Sequence, residues 1–316
     1  MGSDYGKLDF KDLISMEQLD AGQIDLILQN AAELKRVLER DIKKVPTLRG
    51  RTVLNLFYEN STRTRTSFEL AGKYMSADVV NINAAASSVS KGESLRDTGQ
   101  TLNRMAADLI VIRHPMSGAP AYLGRTVSAR VINGGDGLHQ HPTQSLLDLY
   151  TARDKLGDLK GMKVAIVGDV LHSRVARSNL SGFRTMGAEV WLCGPPTLMP
   201  PGLEDMGAKI TWDMDEAVRN AQAVMMLRIQ RERQASGLFP SIREYSQRYG
   251  LNARRLKLAD SGCLVMHPGP MNRGVEISGE IADGVQSVIE EQVTNGVAVR
   301  MALLYLMAGR KGGDGE

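Results

Sequence analysis

Cysteine, net charge and long apolar runs are all scarce in this sequence. Cys193 and Cys263 are its two cysteines and lie in apolar surroundings, which predicts buried thiols in a reducing compartment instead of disulfides or a metal knuckle. A formal charge of +3 over 316 residues argues against a nucleic-acid surface and favours a small anionic ligand. No run approaches the about 18 apolar residues of a membrane span, and no signal-peptide pattern begins the chain, so we expect a cytoplasmic protein.

Short β-rich runs alternate with helix-length segments along most of the chain, which predicts an α/β fold of two doubly wound domains, each a parallel sheet flanked by helices. We expect domains at residues 1–144 and 145–286. An apolar helix at 287–308 is expected to pack back on the first domain, and a Gly-rich tail at 309–316 to be disordered. Strands are expected at residues 52–57, 79–82, 109–112, 131–133, 163–167, 189–193, 209–212, 223–227 and 264–266.

The strongest motif is the run Ser-Thr-Arg-Thr-Arg-Thr at residues 61–66. It directly follows the strand that ends at Phe57 and precedes a helical run expected at 67–75. Hydroxyls, backbone N–H groups and guanidinium groups thus meet at a helix N-terminus, where the helix dipole also favours an anion. These residues predict a phosphate cradle. The alternative is an N-cap followed by an exposed basic turn.

Three further positions belong to polar segments that follow strands or open helices, where ligands of open parallel sheets bind. Lys91 lies in a polar loop at residues 87–94 and could bring a positive charge to a phosphate, with a solvated loop as the alternative. Arg113 follows the strand at 109–112. His141 opens a helix beside Gln144, a position that directs side chains towards a ligand, although a structural histidine is the usual alternative.

The second half of the chain offers candidate ligands for carboxylates. The segment at 167–174 looks like a strand, a glycine turn and a helix, but it lacks the glycine spacing of a dinucleotide site, so Arg174 is a candidate carboxylate ligand. Arg228 and Gln230 alternate beyond the strand at 223–227 and point the same way. The loop His-Pro-Gly-Pro at 267–270 is rigid and is expected to hold backbone carbonyls in fixed positions.

These motifs in this order resemble those of the aspartate carbamoyltransferases, over a span from about Leu48 to Ala308. The motifs are S-T-R-T-R, S-x-x-x-K-G-E, R-H-P, H-P-T-Q, G-D-x-x-x-S-R, R-x-Q-x-E-R and H-P-G-P. The resemblance implies transfer of the carbamoyl group of carbamoyl phosphate to the amine of L-aspartate. This transfer is the committed step of de novo pyrimidine biosynthesis. The resemblance implies neither a metal nor an organic cofactor.

The resemblance also implies a role for each site residue. Groups expected to bind carbamoyl phosphate are Ser61, Thr62, Arg63, Thr64, Ser87, Lys91, Arg113, His141, Gln144, Pro268 and Gly269. Groups expected to bind L-aspartate are Lys91, Arg174, Arg228 and Gln230. Among these, the catalytic groups are Arg63, Thr64, Arg113 and His141.

The resemblance extends to assembly and motion. Ser87 and Lys91 are expected to reach the site from a neighbouring subunit of a homotrimer with shared active sites. Glu59 is expected to pair with Arg174 and Arg233 when the two domains close. Gly269 replaces the usual leucine of the loop, and residues 271–273 lengthen it, which suggests a bacterial subgroup that associates with dihydroorotase instead of a nucleotide-sensing regulatory chain.

Three alternatives compete with this interpretation. An ornithine or other amino-acid carbamoyltransferase would want a Ser-Met-Gly loop and a His-Cys-Leu-Pro loop, and arginines facing the acceptor suit a dicarboxylate better. A non-catalytic anion-binding scaffold would have lost phosphate or oxyanion groups, and the sequence retains them. A nucleotide-binding oxidoreductase would need the missing glycine fingerprint. We expect neither a nucleic-acid nor a membrane partner.

Overall fold

The computed structural model describes residues 8–83, 93–229 and 241–308. The chain divides into two units: unit 1 comprises Met1–Leu146 and Asn295–Glu316, and unit 2 comprises Leu147–Thr294. Each unit contains one parallel sheet flanked by helices, which confirms the predicted fold class.

The sheet of unit 1 has four parallel strands. They are β1 (Thr52–Phe57), β2 (Asp78–Asn83), β3 (Leu109–His114) and β4 (Arg130–Asp136). Their order is β2-β1-β3-β4. Strands β1, β3 and β4 are buried along nearly their whole length, because helices cover both faces of such a sheet.

Among the described residues, five α-helices begin within unit 1. They are α1 (Ala21–Leu38), α2 (Thr62–Tyr74), α3 (Leu95–Arg104), α4 (Ala119–Thr126) and α5 (Pro142–Leu156). Polar side chains fix where the first and third begin. The carboxylate of Asp20 accepts a hydrogen bond from the N–H of Gln23, and Ser94 accepts one from the N–H of Asp97.

Unit 2 has a five-stranded parallel sheet and shorter helices. The strands are β5 (Lys163–Val167), β6 (Glu189–Cys193), β7 (Lys209–Thr211), β8 (Ala223–Met226) and β9 (Leu264–Met266), in the order β7-β6-β5-β8-β9. The helices are α6 (Arg174–Thr185), α7 (Met214–Val218), α8 (Ile242–Tyr249), α9 (Ala253–Leu256) and α10 (Gly279–Ala282).

The C-terminal helix, α11 (Ile289–Ala308), returns the chain to unit 1. Its Val299, Leu303 and Leu304 are fully buried. Arg300 Nη1 donates to the hydroxyl of Ser67 on α2 at 3.0 Å. These contacts confirm that the last helix packs on the first unit. Among the described residues, no helix combines the length and the apolar character that crossing a membrane requires.

Several element boundaries differ from the sequence prediction: β4, for example, ends at Asp136 instead of residue 133, and two other differences lie beside the predicted phosphate cradle. Helix α2 begins at Thr62, five residues before the predicted start, and β3 continues to His114, so that Arg113 lies within the strand. Both extensions consist of polar residues, which carry no apolar periodicity from which to predict them. Cys193 and Cys263 are buried and free, as predicted, and burial raises the pKa of both thiols to about 12.

Candidate active site

The predicted phosphate cradle forms the first turn of α2. Ser61 is the residue before the helix, in an extended conformation, and its carbonyl accepts from the N–H of Arg65 at 3.2 Å. Thr62 and Arg63 are exposed, whereas Thr64 is buried. The first turn contains no acidic residue, so the N–H groups and the dipole of this 13-residue helix remain suited to an anion.

Arg113 extends from β3 towards the start of α2. Its Nη1 lies 3.5 Å from the hydroxyl of Thr64 and 3.3 Å from the carbonyl of Gly134, and its Nε donates to Glu59 at 3.0 Å. The structure therefore brings Arg113 and Thr64 together, as the predicted oxyanion role requires. Glu59 forms this ion pair inside unit 1, and its role in closure stays a prediction.

His141 and Gln144 lie together at the start of α5. Both are buried, and the N–H of Gln144 donates to the carbonyl of His141 at 3.0 Å. Pro142 occupies the first position of the helix, where its missing N–H costs no hydrogen bond.

A buried carboxylate that the sequence did not reveal, Asp136, fixes the segment leading to His141. It ends β4 and accepts hydrogen bonds from the N–H groups of Gly118 at 2.7 Å and Gln140 at 3.1 Å, and from the side chains of Asn133 and His139. Burial alone raises the pKa of this carboxyl, but the hydrogen bonds outweigh it, so that the pKa falls below its usual value. Asp136 is therefore an anion that orders the loop before His141.

His114 is a second side chain at this edge that the sequence analysis did not single out. Its ring lies 4.6 Å from the Tyr58 ring, and its Nδ1 accepts from the N–H of Met116 at 3.0 Å. Burial lowers the pKa of His114. The neutral ring thus holds the chain as it leaves β3.

In unit 2, Arg174 is the first residue of α6 and is buried. The preceding Ser173 caps the helix by accepting from the N–H of Ala176 at 3.1 Å. The turn from β5 requires Gly168, whose φ is +135°, because an added Cβ would lie 3.0 Å from Leu227. The glycine predicted as part of a turn therefore serves close packing beside β8.

Arg228 lies two residues beyond β8, beside the end of β5. The N–H of Leu227 donates to the carbonyl of Val167 at 2.8 Å, which continues the pairing of the two strands. Arg228 is half-buried. Neighbouring parallel strands thus place Arg174 and Arg228 on segments that leave the same edge of the sheet.

The loop after β9 contains Pro268 and Gly269, both half-buried, and a cis peptide bond between Gly269 and Pro270. The preceding His267 is buried, and its Nδ1 accepts from the N–H of Gly269 at 2.8 Å. Four predicted site residues lie outside the described residues: Ser87, Lys91, Gln230 and Arg233.

Parallel sheets with arginines and a helix N-terminus at their strand ends are typical of α/β enzymes that act on small anionic substrates. Two family models match the chain: "Aspartate/ornithine carbamoyltransferase, carbamoyl-P binding domain" over residues 11–154, and "Aspartate/ornithine carbamoyltransferase, Asp/Orn binding domain" over residues 160–307. The chain belongs to the aspartate/ornithine carbamoyltransferase family, and it is a carbamoyltransferase.

Relatives with high sequence identity carry one name. The aspartate carbamoyltransferase catalytic subunit of Pelotomaculum thermopropionicum is 63% identical over 299 residues, which are 95% of this chain and 97% of that protein. That of Moorella thermoacetica is 60% identical over 303 residues, 96% of this chain and 99% of that protein.

A solved structure shares the fold. The aspartate transcarbamoylase from Trypanosoma cruzi in complex with carbamoyl phosphate and aspartate aligns with a TM-score of 0.84 at 30% identity, and the alignment covers 93% of this chain and 96% of that one.

Proposed function

We propose that this chain transfers the carbamoyl group of carbamoyl phosphate to the amine of L-aspartate, giving N-carbamoyl-L-aspartate and phosphate. The observation that carries the proposal is the meeting of Arg113 with Thr64 at the N-terminus of α2, where a phosphate and a developing oxyanion both find donors. The names of the relatives and the ligands of the Trypanosoma cruzi structure support the same substrates.

The first substrate is bound by groups that match its two parts. Ser61, Thr62 and Arg63 bind the phosphate by the N–H groups, hydroxyls and guanidinium of the helix start. The carbamoyl oxygen is held by Thr64, Arg113 and His141, and the carbamoyl amide by Gln144 and the backbone at Pro268 and Gly269.

The proposed mechanism follows from where negative charge develops during the reaction. The neutral amine of L-aspartate attacks the carbamoyl carbon, which places negative charge on the carbamoyl oxygen, and the preorganised donors Thr64, Arg113 and His141 stabilise that charge. The C–O bond to phosphate then breaks, and the departing phosphate accepts the proton that the amine loses. Arg63 stabilises the phosphate as it leaves. No covalent enzyme intermediate is required, and orientation of the two substrates supplies further acceleration.

The second substrate is a dicarboxylate in this proposal. Arg174 and Arg228 each offer a guanidinium that matches a carboxylate in two hydrogen bonds, and Gln230 and Lys91 complete the set by resemblance. An ornithine ammonium would meet two cations here and would be repelled.

Phosphate release from carbamoyl phosphate, with L-aspartate and L-ornithine compared as acceptors, tests the proposal. We expect release with L-aspartate and none above background with L-ornithine. Equal rates with both acceptors would contradict the dicarboxylate assignment, and no release with either would reject the enzyme function proposed for this chain.

We further propose, by the same resemblance, a homotrimer in which Ser87 and Lys91 act in the site of a neighbouring subunit. A dihydroorotase is the partner enzyme that the lengthened loop at residues 267–273 suggests, with a regulatory chain as the alternative.

A further inference from the structure

The imidazole of His267 holds the loop that follows β9 from inside the protein. Its side chain is fully buried, and its Nδ1 accepts from the N–H of Gly269 at 2.8 Å. Because an amide N–H can only donate, Nδ1 carries no proton in this arrangement. The ring proton therefore lies on Nε2, which faces the buried carboxylate of Glu276 at 3.3 Å.

Glu276 extends this hold to the far end of the loop. The same Oε1 atom that faces His267 accepts from the N–H of Asn272. The imidazole and the carboxylate together connect the beginning of the loop with its end. Pro268 and Pro270 have no N–H group, so the loop has few backbone donors. Two of these donors, the N–H groups of Gly269 and Asn272, are bound by the His267 and Glu276 side chains.

A second buried chain of hydrogen bonds fixes the backbone of His267. Its N–H donates to Gln292 Oε1 at 3.0 Å, and Gln292 Nε2 donates to Asp148 Oδ1 at 2.7 Å. The other oxygen of Asp148 accepts from Asn179 Nδ2 at 2.8 Å. All three side chains are buried, so solvent does not compete for these bonds.

We propose that His267 is a positioning residue for carbamoyl phosphate. Its Nδ1 fixes the peptide of Gly269, and the carbonyl of Pro268 belongs to that same planar peptide, so its direction is fixed too. The inference rests on the proposed function, which assigns this backbone to the carbamoyl amide. His267 itself touches neither substrate and acts only through the loop.

Two isosteric substitutions separate the two ring nitrogens. His267→Asn places an amide oxygen near the position of Nδ1 and keeps the acceptor for Gly269. His267→Gln places an amide nitrogen near the position of Nε2, keeps the donor to Glu276 and loses that acceptor. The readouts are the Kd of carbamoyl phosphate and the Kd of inorganic phosphate, both by calorimetry on the full chain.

The Gln variant is expected to weaken carbamoyl phosphate binding by about tenfold, the equivalent of one hydrogen bond. Its Kd for inorganic phosphate should stay unchanged, because phosphate uses the start of α2 and lacks the carbamoyl amide. The Asn variant should stay within about twofold of the wild type for both ligands. A general loss of stability would weaken the binding of both ligands alike. Met214→Ala, in the core of unit 2, is the comparison variant for that effect.

If His267→Gln does not fold, Gln292→Leu takes its place in the test. This variant removes the acceptor of the His267 N–H and should weaken the binding of carbamoyl phosphate but not that of inorganic phosphate. The inference would be overturned if the His267→Gln variant lost affinity equally for both ligands. It would also be overturned if the Asn and Gln variants lost affinity for carbamoyl phosphate equally. A wild-type chain that binds carbamoyl phosphate no more tightly than phosphate would instead contradict the proposed function.

Discussion

The contacts that hold the Arg113 guanidinium differ in strength. The ion pair with Glu59 is short at 3.0 Å, whereas the contact with Thr64, at 3.5 Å, lies at the limit of a hydrogen bond. A bound phosphate can therefore replace the weak contact while the ion pair keeps the guanidinium in place. Glu59 thus orients Arg113 in this structure, and its pairing with Arg174 and Arg233 on domain closure stays a prediction.

Arg228→Ala tests the acceptor assignment. Loss of one charge-assisted hydrogen-bonding group should raise the KM of L-aspartate by about 10- to 100-fold and lower kcat, with the Kd of carbamoyl phosphate nearly unchanged. Steady-state kinetics and calorimetry measure the three quantities. Arg248→Ala, an exposed arginine of α8, is the matched control and should leave all three unchanged. Equal losses of affinity for L-aspartate and for carbamoyl phosphate in Arg228→Ala would argue against the assignment.

Asp136→Asn tests the ordered loop before His141. The folded carboxyl has a pKa below its usual value of about 4, so it contributes stability above that pH and loses this contribution as the pH falls through the folded pKa. At pH 7 the variant should lose about 1–3 kcal/mol, because buried donors lose their carboxylate acceptor.

Hydrogen exchange of the Gly118 and Gln140 amides, which donate to Asp136, measures this effect directly. Their protection in the wild type should decline towards that of the variant below about pH 4. The exposed Asp205→Asn is the control. A difference between wild type and Asp136→Asn that stays constant from neutral to acidic pH would contradict the argument.

At the level of single residues, the site groups that the sequence predicts all belong to linear motifs. Thr64 and Arg113 are brought together across 49 positions, and strand order explains this, since β1 and β3 are neighbours. Asp136 and Glu276 were not predicted. Gly118, Gln140 and Asn272 donate to these two carboxylates through backbone N–H groups. Every residue type except proline supplies such a group, so no residue pattern records these partners.

Among the secondary-structure elements, α11 joins the two ends of the sequence in one core. Leu303→Ala should lower the stability of unit 1 by about 2–5 kcal/mol, because it opens a cavity at a fully buried position. Val293→Ala on the same helix is the control, since Val293 is exposed and its loss should cost less than about 0.5 kcal/mol.

Chemical denaturation together with hydrogen exchange in β1 and β3 measures the Leu303→Ala effect. The amides of these strands should lose protection in the Leu303 variant and keep it in the Val293 variant. Unchanged protection in both variants would mean that α11 contributes little to the core of unit 1.

The predictability of elements depended on their apolar content. Strands such as β1, β5 and β9 have the predicted bounds because each is a short, mostly apolar run between turn residues. The start of α2 was placed five residues late. Its first turn, Thr-Arg-Thr, is specified by a buried Thr64 and by the position after β1, which are tertiary facts that local periodicity lacks.

For the whole molecule, the proposed sharing of sites between subunits makes a quantitative prediction. Lys91→Gln and His141→Ala subunits are each expected to be inactive. In a randomly mixed trimer, however, some sites would receive an intact Lys91 from one chain and an intact His141 from another. Activity should therefore reappear on mixing under exchange conditions, up to about a quarter of the wild-type value, because two independent choices must both be favourable.

Native mass spectrometry of differently tagged subunits establishes whether mixed assemblies form, and phosphate release measures their activity. Either parent assembly alone provides the background. Mixed assemblies without recovered activity would indicate that each site is built from one chain.

The division of the chain between the units also constrains the order in which the protein can be completed during synthesis. Unit 2 is one continuous segment, Leu147–Thr294, so all of it has been translated before the last part of unit 1. Unit 1 lacks Asn295 and everything after it until then, including the buried Leu303 and Leu304. The first segment made therefore waits for the last with part of its apolar surface uncovered, and the second unit is synthesised in full before the first.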